Sequence, residues 1–405
     1  VWQVQVETPL TITTPKGFQA SGIHVGLKRK RKDLGLIWCE EGASAAAVYT
    51  TNQVQAAPIM VTKQAIQSSQ GRIHAVLVNS GNANACTGEL GLSHAYMSQQ
   101  AMAKSLNIAP EQVAIASTGI IGQPLAIDTL LAGIPQLMPS NDSDAANDFA
   151  HAILTTDTGT KSAGQQYMQE DVQISVCGVA KGSGMIHPNM ATMLGFLTTD
   201  ATIEPDTLQT ILRRTIHRTF NCITVDGDSS TNDMVMILAS GAAGGMMILE
   251  GTEEAFALEQ AIETVCQDLA KQIARDGEGA TKLIEVTVTG TQTDEVARMV
   301  AKQVVGSSLV KTAIFGEDAN WGRIIAAVGS IKEPLDVSNV DIKIGSQWVL
   351  RHSMPVLFDE TVASKDLAQQ DVQIHIDLHD GTGQGYAYGC DLTYDYVKIN
   401  ASYRT

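Results

Sequence analysis

The run EEAFALEQAIETVCQDLAKQIARDG, residues 253–277, limits the fold more than any other part of the chain. Leu258, Ile262, Val265, Leu269 and Ile273 fall on one face of a helix. Gly277 supplies the stop, and LIEVTVTGT (283–291) follows with the period-two pattern of a strand. A long one-sided helix delivered straight into a strand must cover a sheet, and the same alternation recurs along the chain. IHAVLVNSG (73–81), QVAIASTGIIG (112–122) and DVQISVCGVAKGSG (171–184) read as strands opening into Gly-rich turns. Segments 92–108 and 205–220 have helical spacing, the second entered at Pro205 and Asp206. The tail YVKINASYRT is expected to begin as a strand, and no helix is expected after the Gly-rich GTGQGYAYG (381–389). The fold class is therefore α/β or α+β: layers of helices around mixed sheets. A chain of 405 residues suits two or three core-bearing units.

Charge excludes some partners. The formal net charge of −16 repels nucleic acid and anionic membrane. The basic run at 28–32 is read as a solvated loop before a strand. The six cysteines, Cys39, Cys86, Cys177, Cys222, Cys266 and Cys390, have neither zinc nor C-x-x-C spacing and are read as reduced core residues of a cytosolic protein. The first twenty residues are strand-like and polar, unlike a signal peptide, and the longest apolar run, MVMILASGAAGGMMILE, is short for a membrane span. DGDSSTND (226–233) fails as a calcium loop, because Thr231 stands where glycine is needed and Ile237 where glutamate is; it is read as a hydrogen-bonded loop near a site. KGSG (181–184) lacks phosphate-loop spacing, so no metal and no cofactor is expected.

Two short stretches invite a chemical reading. In KGSGMIHPNMATMLGFLTTDA (181–201), Ala191-Thr192 follows a Pro-Asn turn and precedes an apolar run. A threonine hydroxyl attacking the carbonyl just before it converts the peptide to an ester, which water releases. The new α-amine titrates near pH ~7.7–8.0 and takes the proton of its own hydroxyl, so nucleophile and base share one residue. The dipeptide by itself reads first as an ordinary structural pair in a strand. In ASTGIIGQP, the Thr118 hydroxyl and Gly119 N–H after a strand suit an oxyanion hole, or simply a turn.

KGSGMIHPNMATMLGFLTTDA also resembles the hallmark of the ornithine acetyltransferase (glutamate N-acetyltransferase) family of arginine biosynthesis. So do VYTTNQVQAAPI (48–59), VNSGNANACTG (78–88), ASTGIIGQPL (117–126), ILTTDT (153–158), FNCITVDGDSSTNDM (220–234), IARDGEGATKLIEV (273–286), IFGEDANWGRI (314–324) and YVKINASYRT (396–405), in family order and nearly end to end. The resemblance implies self-cleavage between Ala191 and Thr192, giving an α chain of residues 1–191 and a β chain of 192–405 that stay together as α2β2. It implies a layered fold shared with self-cleaving aminopeptidases. It implies transfer of acetyl from N2-acetyl-L-ornithine to L-glutamate through an ester on Thr192, with acetyl-CoA as a donor in some members, in the cytoplasm. By motif, Thr118 and Gly119 are the oxyanion donors, and Thr155, Lys181, Thr192, Glu278, Asn400 and Thr405 the substrate contacts. Ornithine ends in an ammonium and glutamate in a carboxylate, so the pocket needs both signs. Lys181 is assigned to a substrate carboxylate and Glu278 to an ammonium. Two other readings are a self-processing amidohydrolase or aminopeptidase, in which water is the acceptor, and a non-catalytic binding protein with an intact Ala-Thr bond.

Overall fold

A computed structural model describes residues 9–187 and 193–402. Ala191, Thr192 and Thr405 lie outside these described residues. The N-terminal sheet is built from β1 (Gln19–Ile23), β2 (Leu34–Tyr49), β3 (Arg72–Asn82), β4 (Val113–Ile120), β5 (Lys161–Gln169), β6 (Val172–Lys181), β7 (Leu194–Thr199) and β8 (Met234–Ala239). Its order is β4-β3-β2-β8-β7-β6-β5, with β1 paired to the first part of β2. The β3–β4 and β7–β8 pairs are parallel and the rest antiparallel.

Central strands are apolar on both sides because both faces of this sheet are covered. In β8, Val235, Ile237 and Ala239 enter one core together with Leu208, Ile211 and Leu212 of the helix Pro205–Arg218 and the apolar stripe of the helix Glu253–Arg275. The alternate residues Met234, Met236 and Leu238 enter a second core with Phe149 and Ala146 of the helix Ser143–Ala152. The period of two sends neighbouring side chains to opposite faces. Each fully buried Leu, Ile or Phe contributes about 1.5–3 kcal/mol. Phe149 meets Phe196 of β7 edge-on at 5.7 Å, tying that helix to the sheet. A third cluster packs the helices Ala57–Ser68 and Gly88–Leu106 against β3 and β4.

The second sheet comprises β9 (Leu283–Thr291), β10 (Asp341–Ile344), β11 (Gln347–Arg351), β12 (Met354–Pro355), β13 (Asp371–Asp377) and β14 (Gly383–Cys390), in the order β12-β11-β10-β13-β9-β14. Its core joins Ile284, Val286 and Val288 to the helix Asp294–Gly306. The helix Glu253–Arg275 links the two layers: Leu258 and Leu269 share a cluster with Leu283 and Cys390. The fold is mixed α/β, as the alternation of patterns indicates.

Three readings need correction. The tail is the helix Tyr394–Ser402, not a strand, and it follows β14 closely; none of its residues is buried, so its apolar positions carry no core-facing period. Cys86 is exposed, whereas the other five cysteines are buried. The basic run precedes β2 as expected but is not simply solvated. Lys28 Nζ donates to the Leu154 carbonyl at 2.8 Å, and Arg31 donates to the carbonyls of Thr155 and Asp157 at 3.4 Å. Burial, acting against the charge of Asp33, lowers the Lys28 amine to about 8.

Candidate active site

Thr118 and Gly119 sit at the C-terminal end of β4, where it pairs with Ser80 and Gly81 of β3. At Gly119 φ is +135°, and a Cβ there would lie 2.3 Å from the Gly81 carbonyl carbon and 2.5 Å from the Asn82 nitrogen. Only glycine fits this close passage of two backbones. The loop 226–233 is tied to the same spot: Asn232 Nδ2 donates to the carbonyls of Ala83 and Ser117 at 2.6 and 2.8 Å.

Lys181 ends β6, opposite Leu194, the first residue of β7. It is buried, and its charge is managed by Asp157. One Asp157 oxygen accepts from Lys161 Nζ at 2.8 Å and from the Gly182 N–H at 2.7 Å; the other accepts from the Thr155 N–H at 3.0 Å and lies 3.9 Å from Lys181 Nζ. Burial opposes the Asp157 charge, but Lys181, Lys161 and these N–H groups outweigh it and hold the carboxyl below the usual range. For Lys181, burial lowers the amine; Asp157, Asp233 and Glu278 counter it and Lys161 adds to it. Asp157 thus fixes both Thr155 and Lys181, a role that its motif ILTTDT did not reveal, because a single aspartate has no spacing to read. Asp157→Ala removes the carboxylate shared by two buried lysines, of which Lys161 keeps its pair with Asp276 at 2.6 Å, and is expected to destabilise the fold by about 3–5 kcal/mol, read from urea unfolding.

Glu278 lies in the turn between the helix Glu253–Arg275 and β9, as the pattern predicts. Its N–H donates to the Ser183 carbonyl at 3.1 Å, and its Oε2 accepts from Asn400 Nδ2 at 2.9 Å. The carboxylate passes so close to Gly184 that a Cβ there would lie 2.4 Å from it. Asp226 accepts the N–H groups of Met185 and Ile186 at 2.7 and 2.9 Å and holds the turn leading toward the Ala191-Thr192 segment. Burial raises the Asp226 carboxyl despite these donors.

These pieces enclose one cavity of about 210 Å³. Its wall carries Thr118, Gly119, Thr155, Lys181, Glu278 and Asn400, every expected site residue among those described. The wall also includes Met193 and Leu194 at the start of β7, one and two residues after Thr192, and the loop residues Asp226, Asp228, Ser230, Asn232 and Asp233. The cavity wall carries a basic side chain, Lys181, and an acidic one, Glu278. Among the described residues, no group of three or more His, Cys, Asp or Glu side chains is placed to hold a metal ion. No described helix is long and apolar enough to cross a membrane.

The chain is similar to known proteins along nearly its whole length. A protein named arginine biosynthesis bifunctional protein ArgJ, from Geobacillus kaustophilus, is 53% identical over 403 residues, spanning 100% of this chain and 98% of its own. The crystal structure of an arginine biosynthesis bifunctional protein ArgJ from Bacillus halodurans is 53% identical, covering 51% of this chain and 97% of that one, with a TM-score of 0.49. An ornithine acetyltransferase from Mycobacterium tuberculosis, complexed with ornithine, is 38% identical, covering 45% of this chain and 96% of that one, with a TM-score of 0.42. The family model described as the ArgJ family matches residues 19–405. With that match spanning nearly the whole chain, and a relative of more than half identity along its full length, the chain belongs to the ArgJ family.

Proposed function

We propose that this protein transfers the acetyl group of N2-acetyl-L-ornithine to L-glutamate, yielding ornithine and N-acetylglutamate, with Thr192 as the covalent carrier. The observation that carries the reading is the convergence of Thr118, Gly119, Thr155, Lys181, Glu278 and Asn400 on one cavity at the start of β7. In this reading the hydroxyl of Thr192 attacks the acetamide carbonyl. The Gly119 N–H and the Thr118 hydroxyl stabilise the developing oxyanion, about 3 kcal/mol for each donor. Ornithine leaves, and the amine of glutamate then attacks the ester, giving ping-pong kinetics. Lys181 holds a substrate carboxylate and Glu278 the ammonium of ornithine, with Thr155, Asn400 and Thr405 completing the contacts. Acetyl-CoA is proposed as a further acetyl donor.

The same reading includes self-cleavage at Ala191-Thr192. The cut would fall between β6 and β7 within one sheet. In the strand order, β8 and β7 from the 192–405 chain lie between β2 and β6 from the 1–191 chain. Separating the chains would break both ladders and open two cores, so they stay together, in an α2β2 assembly that we place in the cytoplasm. Native mass spectrometry reads that stoichiometry.

The test is turnover of acetylornithine by the purified protein with and without glutamate, and of acetyl-CoA with glutamate. Product formation only with glutamate supports the transferase; equal release of acetate without it supports the hydrolase instead. Glu278→Gln is expected to raise KM for acetylornithine about 10-fold or more, with a smaller change for glutamate. An unchanged KM for acetylornithine removes Glu278 from the ammonium-binding role.

A further inference from the structure

Among the acidic side chains of the cavity wall that the foregoing mechanism leaves idle, Asp233 is set apart by an unpartnered carboxyl oxygen. It immediately precedes β8, is 3% exposed, and lines the cavity. Its Oδ2 is buried and has no hydrogen-bond partner among the described residues. A buried carboxyl oxygen left unmatched is costly, and it persists where a ligand or a reacting group completes it. The backbone places it with care. The Thr50 N–H donates to its carbonyl at 3.0 Å, and the next N–H, that of Met234, donates to the Met193 carbonyl at 3.0 Å. Leu194 and Met234 are opposite one another in the parallel β7–β8 pair, while Leu194 is opposite Lys181 across β6–β7. The start of β7 is therefore flanked by Lys181 on one side and Asp233 on the other.

We propose that the Asp233 carboxyl is a proton-transfer group of the acetyl exchange, in contact with the amine that departs and the amine that arrives. This rests on the acetyl-exchange reading of the cavity. Exchange between two amines needs such a group. In the first half, the C–N bond of the acetamide breaks as the C–O bond to the carrier hydroxyl forms. Asp233 gives its proton to the departing nitrogen, and the α-amine of Thr192 receives the proton of the hydroxyl. In the second half, glutamate, as the free amine, forms the new C–N bond and the ester C–O bond breaks. The Thr192 α-ammonium gives its proton to the released oxygen, and Asp233 takes the proton shed by nitrogen. The two halves together return the carboxyl and the α-amine to their starting states, with no co-reactant. Its environment suits an acid. Burial pushes the carboxyl well above the usual carboxylate range, while hydrogen bonds from Ser230 and the charge of Lys181 pull back. The other titratable groups facing the cavity are Glu278 from the turn before β9, Asp226 and Asp228 from the loop before β8, and Tyr396 from the C-terminal helix.

The experiment compares two acetyl donors in the whole protein. The amine of acetylornithine cannot depart without a proton, whereas the phenolate of p-nitrophenyl acetate can. Asp233→Asn is nearly isosteric. It is expected to lower kcat/KM for acetylornithine relative to kcat/KM for p-nitrophenyl acetate, a ratio that reads the acylation half alone, about 100-fold. Asp233→Glu, which keeps an acid, should restore at least about a tenth of the wild-type ratio. A ratio unchanged in Asp233→Asn, with both rates intact or both reduced alike, overturns the proposal and leaves Asp233 a structural role. Failure of the wild-type protein itself to turn over acetylornithine would instead refute the underlying function.

Discussion

Thr192→Ala is expected to run as one full-length band on a denaturing gel and to lose more than about 10⁴-fold in acetylornithine turnover, whereas the wild type is expected to give two bands of roughly equal size. The magnitude follows from removing the carrier atom: without the hydroxyl there is neither an attack on the preceding carbonyl nor an acetyl ester. The segment itself lies outside the described residues, but its surroundings bear on the outcome. Lys181 and Leu194 are paired, the start of β7 opens on the cavity, and Asp226 holds the turn 185–186 just upstream. Intact-protein mass spectrometry of the wild type, quenched during turnover, should find an acetyl adduct on the peptide beginning at Thr192. Activity retained by the uncut alanine variant refutes the assigned nucleophile.

Gly119→Ala has the second largest expected effect, and for a different reason. The glycine occupies φ +135°, where an L residue is strained by about 1–3 kcal/mol, and its Cβ would meet the Gly81 and Asn82 backbone rather than a movable side chain. The β3 and β4 ends must part, displacing the N–H assigned to the oxyanion. Loss of one such donor costs about 10²–10³-fold in kcat. The variant is expected to show at least that loss, together with a lower melting temperature. Thr118→Val separates the two effects: it removes a hydroxyl without moving the backbone, so kcat should fall while the melting temperature holds. If Gly119→Ala retains full kcat, the N–H at position 119 is not an oxyanion donor.

Much of the site was readable before any coordinates. Gly119 and Glu278 sit after strand-like and helix-like periods whose ends are marked by glycine, and such marks survive in one dimension. The roles of Asp157 and Asp233 were not readable. Asp157 is a lone carboxylate and Asp233 one of three in the loop 226–233, and what singles each out is contact with residues far away in sequence: Lys181 and Gly182 for Asp157, and the β7 start for Asp233. The basic run at 28–32 was misread in part for the same reason. Lys28 and Arg31 look solvated until Leu154 and Thr155 are folded against them. The tail was misread because a helix with no buried residue has no apolar stripe for its period to display.

The sequence by itself determined the alternation of helix and strand and the Ala191-Thr192 pair with its family resemblance, because these are local patterns or contiguous motifs. Only the tertiary structure decided that β7 and β8 lie between β2 and β6, that Lys181 and Glu278 share a cavity with Thr118 and Gly119, and that Asp157 and Asp233 stand beside them. Strand order and charge pairing are set by packing and desolvation between distant segments, and those energies have no counterpart in the spacing of residues along the chain.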